Sequence, residues 1–195
     1  MSQPSSTEPT TSPIVRRVVP IVTGLFAALC ICWVLDVPQY LGFAFFKEQL
    51  LAPVVGLSLV TVFISVPVNR GKRGKLPWYD AVAALAAVAV MGHVMLAYPR
   101  LVDDVALRTT ETLVIGIVSV ALVLEGLRRA TGHVLFFIVT TFVVYGLLGH
   151  FVPGQLTARA VGADWLFIYL AFDPSGLFGT PMTVGATIVL LFILM

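Results

Sequence analysis

Five times between Val18 and Val152 the sequence runs through an apolar stretch that no Asp, Glu, Lys or Arg interrupts. The stretches are Val18–Leu35, Leu50–Val66, Ala81–Tyr98, Thr112–Leu124 and Val134–Val152. All but the fourth approach the roughly 20 residues that a helix needs to cross a hydrocarbon core. A short aromatic segment, Asp164–Phe172, follows, and a sixth apolar run begins near Gly176. In hydrocarbon only a helix or a closed barrel satisfies every backbone donor and acceptor. The pattern therefore predicts an all-α, polytopic membrane protein with about five full transmembrane helices and a truncated sixth.

Composition excludes the soluble alternative. Charged residues make up 11% of the chain, against about 25% in a soluble domain, too few to cover a water-facing surface. A net charge of +2, with no basic run interleaved with aromatics, gives no basis for a nucleic-acid partner. The expected partner of most of the surface is a lipid bilayer.

Residues 1–13 are Ser-, Thr- and Pro-rich with one charge, Glu8, and predict a disordered tail. Arg16 and Arg17 precede the first stretch as in a signal peptide. The stretch is long, however, and no small-x-small cleavage site follows it, so a retained first span is expected. Pro20, Pro53, Pro67, Pro77, Pro99 and Pro153 fall at or near expected span ends, where a missing N–H costs little. Trp33, Tyr40, Trp78, Tyr79, Tyr98 and Trp165 cluster there too, as an interfacial aromatic belt requires.

The basic residues set the orientation. If the spans alternate, Arg16, Arg17, Arg70, Lys72, Arg73, Lys75, Arg128 and Arg129 share one side, and Lys47, Arg100, Arg108 and Arg159 share the other. Lys and Arg accumulate on the cytoplasmic side, so the N-terminus and the loop Asn69–Pro77 are expected inside, and the loop Pro99–Thr110 outside. For a bacterial protein the compartment is the cytoplasmic (inner) membrane. The fourth span is short because Glu111 and Glu125 bracket it; Glu125 is expected in the headgroup region, paired with Arg128 and Arg129 at helical spacing.

Candidate chemistry is sparse. His93 is the one clear ionisable residue within a span, and no other apolar span offers a carboxylate at its depth; it is expected to be a neutral His bonded to a neighbouring helix. His133 and His150 lie at the two ends of the fifth span. Asp103 and Asp104 are expected in a solvated loop with local ion pairs to Arg100 and Arg108. Cys30 and Cys32, two apart on a helix, point to different faces and suit neither a disulfide nor a shared metal site. No P-loop, HExxH, GxSxG or CxxC pair occurs, so nothing marks an enzyme, and no cofactor or metal site is expected. The segment Ser175–Pro181, with two glycines and a proline, breaks the backbone as a loop entering a helix or as the start of a discontinuous helix.

Three segments carry a resemblance. Leu124-Glu125-Gly126-Leu127-Arg128-Arg129-Ala130-Thr131-Gly132 resembles the Leu-Glu-small-x-Arg-Arg-x-x-Gly signature of the fused permeases of tripartite ATP-independent periplasmic (TRAP) transporters. Tyr145 to Gly149, followed by Pro153-Gly154, is similar to that family's Tyr…Gly…Pro-Gly stretch. Gly176-Leu177-Phe178-Gly179-Thr180-Pro181, with Phe192, resembles its Gly-aliphatic-Phe-Gly-x-Pro…Phe segment. In the fused form a four-span, small-subunit-like part precedes a large part of about twelve spans.

The resemblance implies residues 14–128 as the four-helix part and residues 129–195 as the truncated start of the large part. It implies a permease component that imports organic acids with sodium as coupling ion. Its implied partners are a periplasmic solute-binding protein of the TAXI subgroup and the remaining permease helices. Sodium and substrate sites belong to the large part, so this chain alone is expected to be inactive and no transport-site residue is assigned. Glu125, Arg128, Arg129, Gly132, Gly176 and Gly179 are expected to be structural: the arginines anchor a cytoplasmic turn and the glycines permit a tight start to the sixth span. The rival expectation is an accessory or scaffold membrane subunit without transport activity of its own.

Overall fold

The computed structural model describes residues 46–66, 77–173 and 175–185, with scattered positions between 20 and 40. The tail, most of the expected first span, the basic loop from Asn69 to Leu76 and the last ten residues (186–195) lie outside the described residues. Among the described residues every regular element is helical. The order is α1 (Lys47–Ser65), α2 (Trp78–Leu107), α3 (Thr110–Thr131), α4 (His133–Leu148), 3-10 turns at Gly149–Phe151 and Gly154–Leu156, α5 (Ala163–Phe172) and α6 (Thr180–Val184). The helices α1 to α4, the last extended by its 3-10 turn, are long and apolar enough to cross a membrane.

Helices α1 and α2 form the tightest pair. The buried positions of α1 include Ala52, Val55, Leu59 and Phe63, with Leu51 and Val54 in a second, smaller cluster; those of α2 include Ala87, Met91, Val94, Tyr98 and Leu101. Steps of three and four put each set on one stripe, so two apolar seams meet lengthwise. Gly56 lets the seam close: a Cβ there would lie 3.0 Å from that of Met91. In a bilayer such contacts hold helices together by packing, because lipid is as apolar as Leu and no hydrophobic gain remains.

The connections on either side of α3 are short. Arg108, in the left-handed region at φ 51°, ends α2, and Thr109 caps α3 by accepting from the Thr112 N–H at 3.4 Å. Gly132 alone joins α3 to α4, at φ 88°, a conformation that L side chains rarely adopt. Helix α4 buries none of its residues and leaves Val134, Phe137, Phe142 and Leu148 exposed, so its apolar surface has few partners among the described residues.

Two expectations fail at α2. The helix does not end at Tyr98 but continues through Pro99 to Leu107, so Asp103 and Asp104 are helical and not in a loop. Proline lacks the N–H that would bond the carbonyl four residues earlier, that of Met95. The buried Gln49 side chain on α1 donates to that carbonyl from Nε2 at 3.1 Å, while its Oε1 accepts from the Phe46 N–H at 3.0 Å. One glutamine therefore satisfies the backbone group that Pro99 frees and caps its own helix. Pro53 likewise lies inside α1 and not at its end.

Helix α5 has 10 residues, about 15 Å of rise, half of what a span needs. It crosses the outside of α3 and α4: Phe167 packs its backbone on Gly116, and Leu166 packs on Gly146. The chain then reverses. Ser175 N–H bonds Asp173 Oδ1 at 2.8 Å, Gly176 N–H bonds the Asp173 carbonyl at 2.7 Å, and Leu177 N–H bonds the Leu170 carbonyl at 2.8 Å. The sixth run thus becomes helical at Thr180, after a turn, and not at Gly176.

Candidate functional site

Polar side chains gather at the two ends of this bundle. One end holds the close of α1, the start of α2 and the close of α3. Glu125 lies one turn before Arg128 and Arg129, so all three project from the same part of α3. Its carboxylate accepts from Arg128 Nε at 2.8 Å, from an Arg128 terminal nitrogen at 2.7 Å and from Arg129 Nε at 2.8 Å. Arg129 then reaches across to α2, where it bonds Asp80 Oδ1 at 2.6 Å, with the two side chains only 5% and 0% exposed. Its guanidinium also lies 4.7 Å from the centre of the Phe63 ring on α1. One side chain thus touches all three helices.

The helix ends favour this arrangement. Asp80 occupies the first turn of α2, where the backbone presents partial positive charge, and both arginines occupy the last turn of α3, where it presents partial negative charge. Two acids and two bases give a neutral set, with no spare charge for a substrate ion. One acceptor stays unfilled: Asp80 Oδ2 is buried without a hydrogen-bond partner. The pattern of basic residues alone does not point to Asp80. The signal was there: an acid at the head of an apolar run, on the side that holds Arg128 and Arg129.

The glycines of the resemblance do distinct things. Gly132 supplies the positive φ between α3 and α4. At Gly176 a Cβ would meet the carbonyl oxygens of Leu170 and Tyr169 at 2.6 and 2.8 Å, so the reversal after α5 admits no side chain. Gly179 is buried, and its carbonyl accepts the Thr183 N–H at 3.1 Å to start α6.

At the opposite end the expectation for His93 is overturned in one respect. A carboxylate does reach it: His93 Nε2 lies 3.0 Å from Glu111 Oε1, and Arg100 meets the same oxygen at 2.5 Å. His93 and Arg100 are seven residues apart on one face of α2, and Glu111 reaches them from the first turn of α3. By sequence, Glu111 marks only the boundary of its own span. Arg100 and Arg108 do not pair with Asp103 or Asp104: Arg108 bonds Asp164 of α5 at 3.3 Å. His133 begins α4, and His150 lies in the 3-10 turn beyond it, so neither joins either cluster.

Beside these pairs, α1, α2 and α5 enclose an open cleft of about 420 Å³. Its aromatic walls are Phe46, Tyr98, Trp165, Tyr169 and Phe172, and its charged lining is Glu48, Arg108 and Asp173. Among the described residues no three His, Cys, Asp or Glu side chains converge to hold a metal ion. Comparison of the chain with protein-family models, with curated proteins and with solved structures gives no match in any of the three.

Proposed function

We propose that this chain is the scaffold portion of a membrane permease of the TRAP type, which imports organic acids with a periplasmic solute-binding protein. One observation supports the reading more than any other. The segment that resembles the family signature, Leu124–Gly132, supplies Arg129, which ties α3 to α2 and α1, and Glu125, which holds Arg129 and Arg128 on α3. A signature made of such residues preserves helix packing, as a scaffold requires. The neutral balance of that cluster gives it no free charge with which to bind a solute or a sodium ion. The exposed apolar surface of α4 suits a bilayer or further permease helices. In this reading the N-terminus is cytoplasmic, in a bacterial inner membrane.

The test is reconstitution. Proteoliposomes holding residues 1–195 alone, given a sodium gradient and a binding protein loaded with organic acid, should show no uptake. The same chain joined to a complete large permease part of that family should give sodium-dependent uptake. Arg129→Ala should reduce the amount of assembled transporter. Uptake by residues 1–195 alone that disappears in His93→Ala would refute the scaffold assignment. Failure of the joined protein to transport would refute the transporter assignment.

A further inference from the structure

The cleft between α1, α2 and α5 selects for one sign of charge. Its single guanidinium, Arg108, is already answered by Asp164 at 3.3 Å. Glu48 and Asp173 form no ion pair among the described residues. Asp173 accepts a backbone N–H through Oδ1, and among the described residues neither carboxylate has a basic partner. The walls are aromatic. Phe46 lies against Tyr98 with ring centres 5.8 Å apart, and Trp165 stacks on Tyr169 at 4.9 Å and 15°. These rings line the cleft with apolar surface against which the carbon substituents of a ligand can pack. Two carboxylates beside that surface disfavour an anion.

The nature of the cation follows from the same lining. A hydrated metal ion wants several oxygens and gains nothing from apolar rings, and among the described residues no three ligating side chains converge. An ammonium bearing carbon substituents uses both kinds of wall, its carbons against the rings and its charge toward the carboxylates. A volume of about 420 Å³ admits a small molecule or a lipid headgroup. We propose that this cleft is a binding site for an organic ammonium group, with Glu48 and Asp173 as counter-charges and Trp165 as a ring contact.

Choline is the probe, and 3,3-dimethylbutan-1-ol, in which carbon replaces the charged nitrogen, is its neutral control. The full chain is placed in phosphatidylglycerol nanodiscs and followed by tryptophan fluorescence, with Trp165→Phe to identify the signal of the cleft. Choline should give a saturable change that the neutral control does not give. Its affinity should fall by roughly tenfold or more in the double variant E48Q/D173N. Arg108→Asn, which removes the one basic group, should tighten it, a gain that a misfolded protein cannot show. Adding phosphatidylethanolamine to the nanodiscs distinguishes the natural source. Competition with choline assigns a lipid headgroup, and its absence assigns a free amine; both outcomes support an ammonium site. Equal responses to choline and the control, no response to choline, or an unchanged affinity in both the double variant and Arg108→Asn would overturn it.

Discussion

Arg129 is held on three sides: by Glu125 of its own helix, by Asp80 of α2 and by the Phe63 ring of α1. A charge so enclosed has given up its hydration, and only its partners compensate for that loss. Removing one partner strands the other, which costs about 3–5 kcal/mol, whereas replacing both with apolar groups of similar volume is often neutral. We therefore expect Asp80→Leu to destabilise the protein by about that amount, and Asp80→Leu combined with Arg129→Met to recover most of the loss. Thermal unfolding in detergent of the two single variants and the double gives the coupling directly. Additive losses would mean that the two side chains do not act as a pair. The sequence exposes only half of this site. Glu125, Arg128 and Arg129 are legible because helical spacing alone brings them together. Asp80 is 49 positions away, and no local rule pairs residues across such a gap.

At the scale of elements, glycines separate close packing from open surface, and they predict opposite signs for the same substitution. Gly116 on α3 is where the backbone of α5 comes nearest: a Cβ there would lie 2.9 Å from the Phe167 carbonyl oxygen. Gly92, mid-way along α2, has nothing within 4 Å of such an atom. Gly116→Ala should therefore push α5 off α3 and cost about 1–3 kcal/mol. Gly92→Ala should stabilise by roughly 0.5–1 kcal/mol, since alanine loses less backbone freedom in a helix. Unfolding midpoints that move in the same direction for both would contradict the α3–α5 packing. The positions of α1 and α4 follow from apolar length, whereas α3 takes in Glu111, Glu125, Arg128 and Arg129 beyond its short apolar stretch and reaches 22 residues. The length of α2 does not follow from apolar length, because Pro99 reads as a helix end when the partner of its freed carbonyl, Gln49, lies 46 positions earlier on another helix. Helix α5 is legible in the sequence as a short aromatic segment, but its place across α3 depends on Gly116 and so on tertiary contact.

The whole molecule has two chemically distinct ends. Phe63, Asp80 and Arg129 meet at one, and Phe46, Tyr98 and Arg108 line the cleft at the other. For this to happen α1, α2 and α3 must run alternately up and down, since each contributes its beginning to one end and its close to the other. If that alternation extends along the whole chain, the basic residues of the sequence divide eight to four, with Arg70, Lys72, Arg73 and Lys75 within six positions ahead of α2. Clustered Lys and Arg resist translocation, so the proposed orientation puts that segment on the cytoplasmic side. Reporter fusions ending at Gly74 and at Asp104 should thus read opposite compartments, with Gly74 cytoplasmic. Neutralising all four loop residues should disturb orientation more than neutralising Lys47, Arg100, Arg108 and Arg159. The first group sits within six positions, whereas the second is scattered and includes Arg100 and Arg108, already paired with Glu111 and Asp164. Protease accessibility of a tag at residue 104 measures the difference. Equal disturbance by the two sets would separate the orientation of the bundle from its charge distribution, and a shared compartment for both fusions would break the alternation itself.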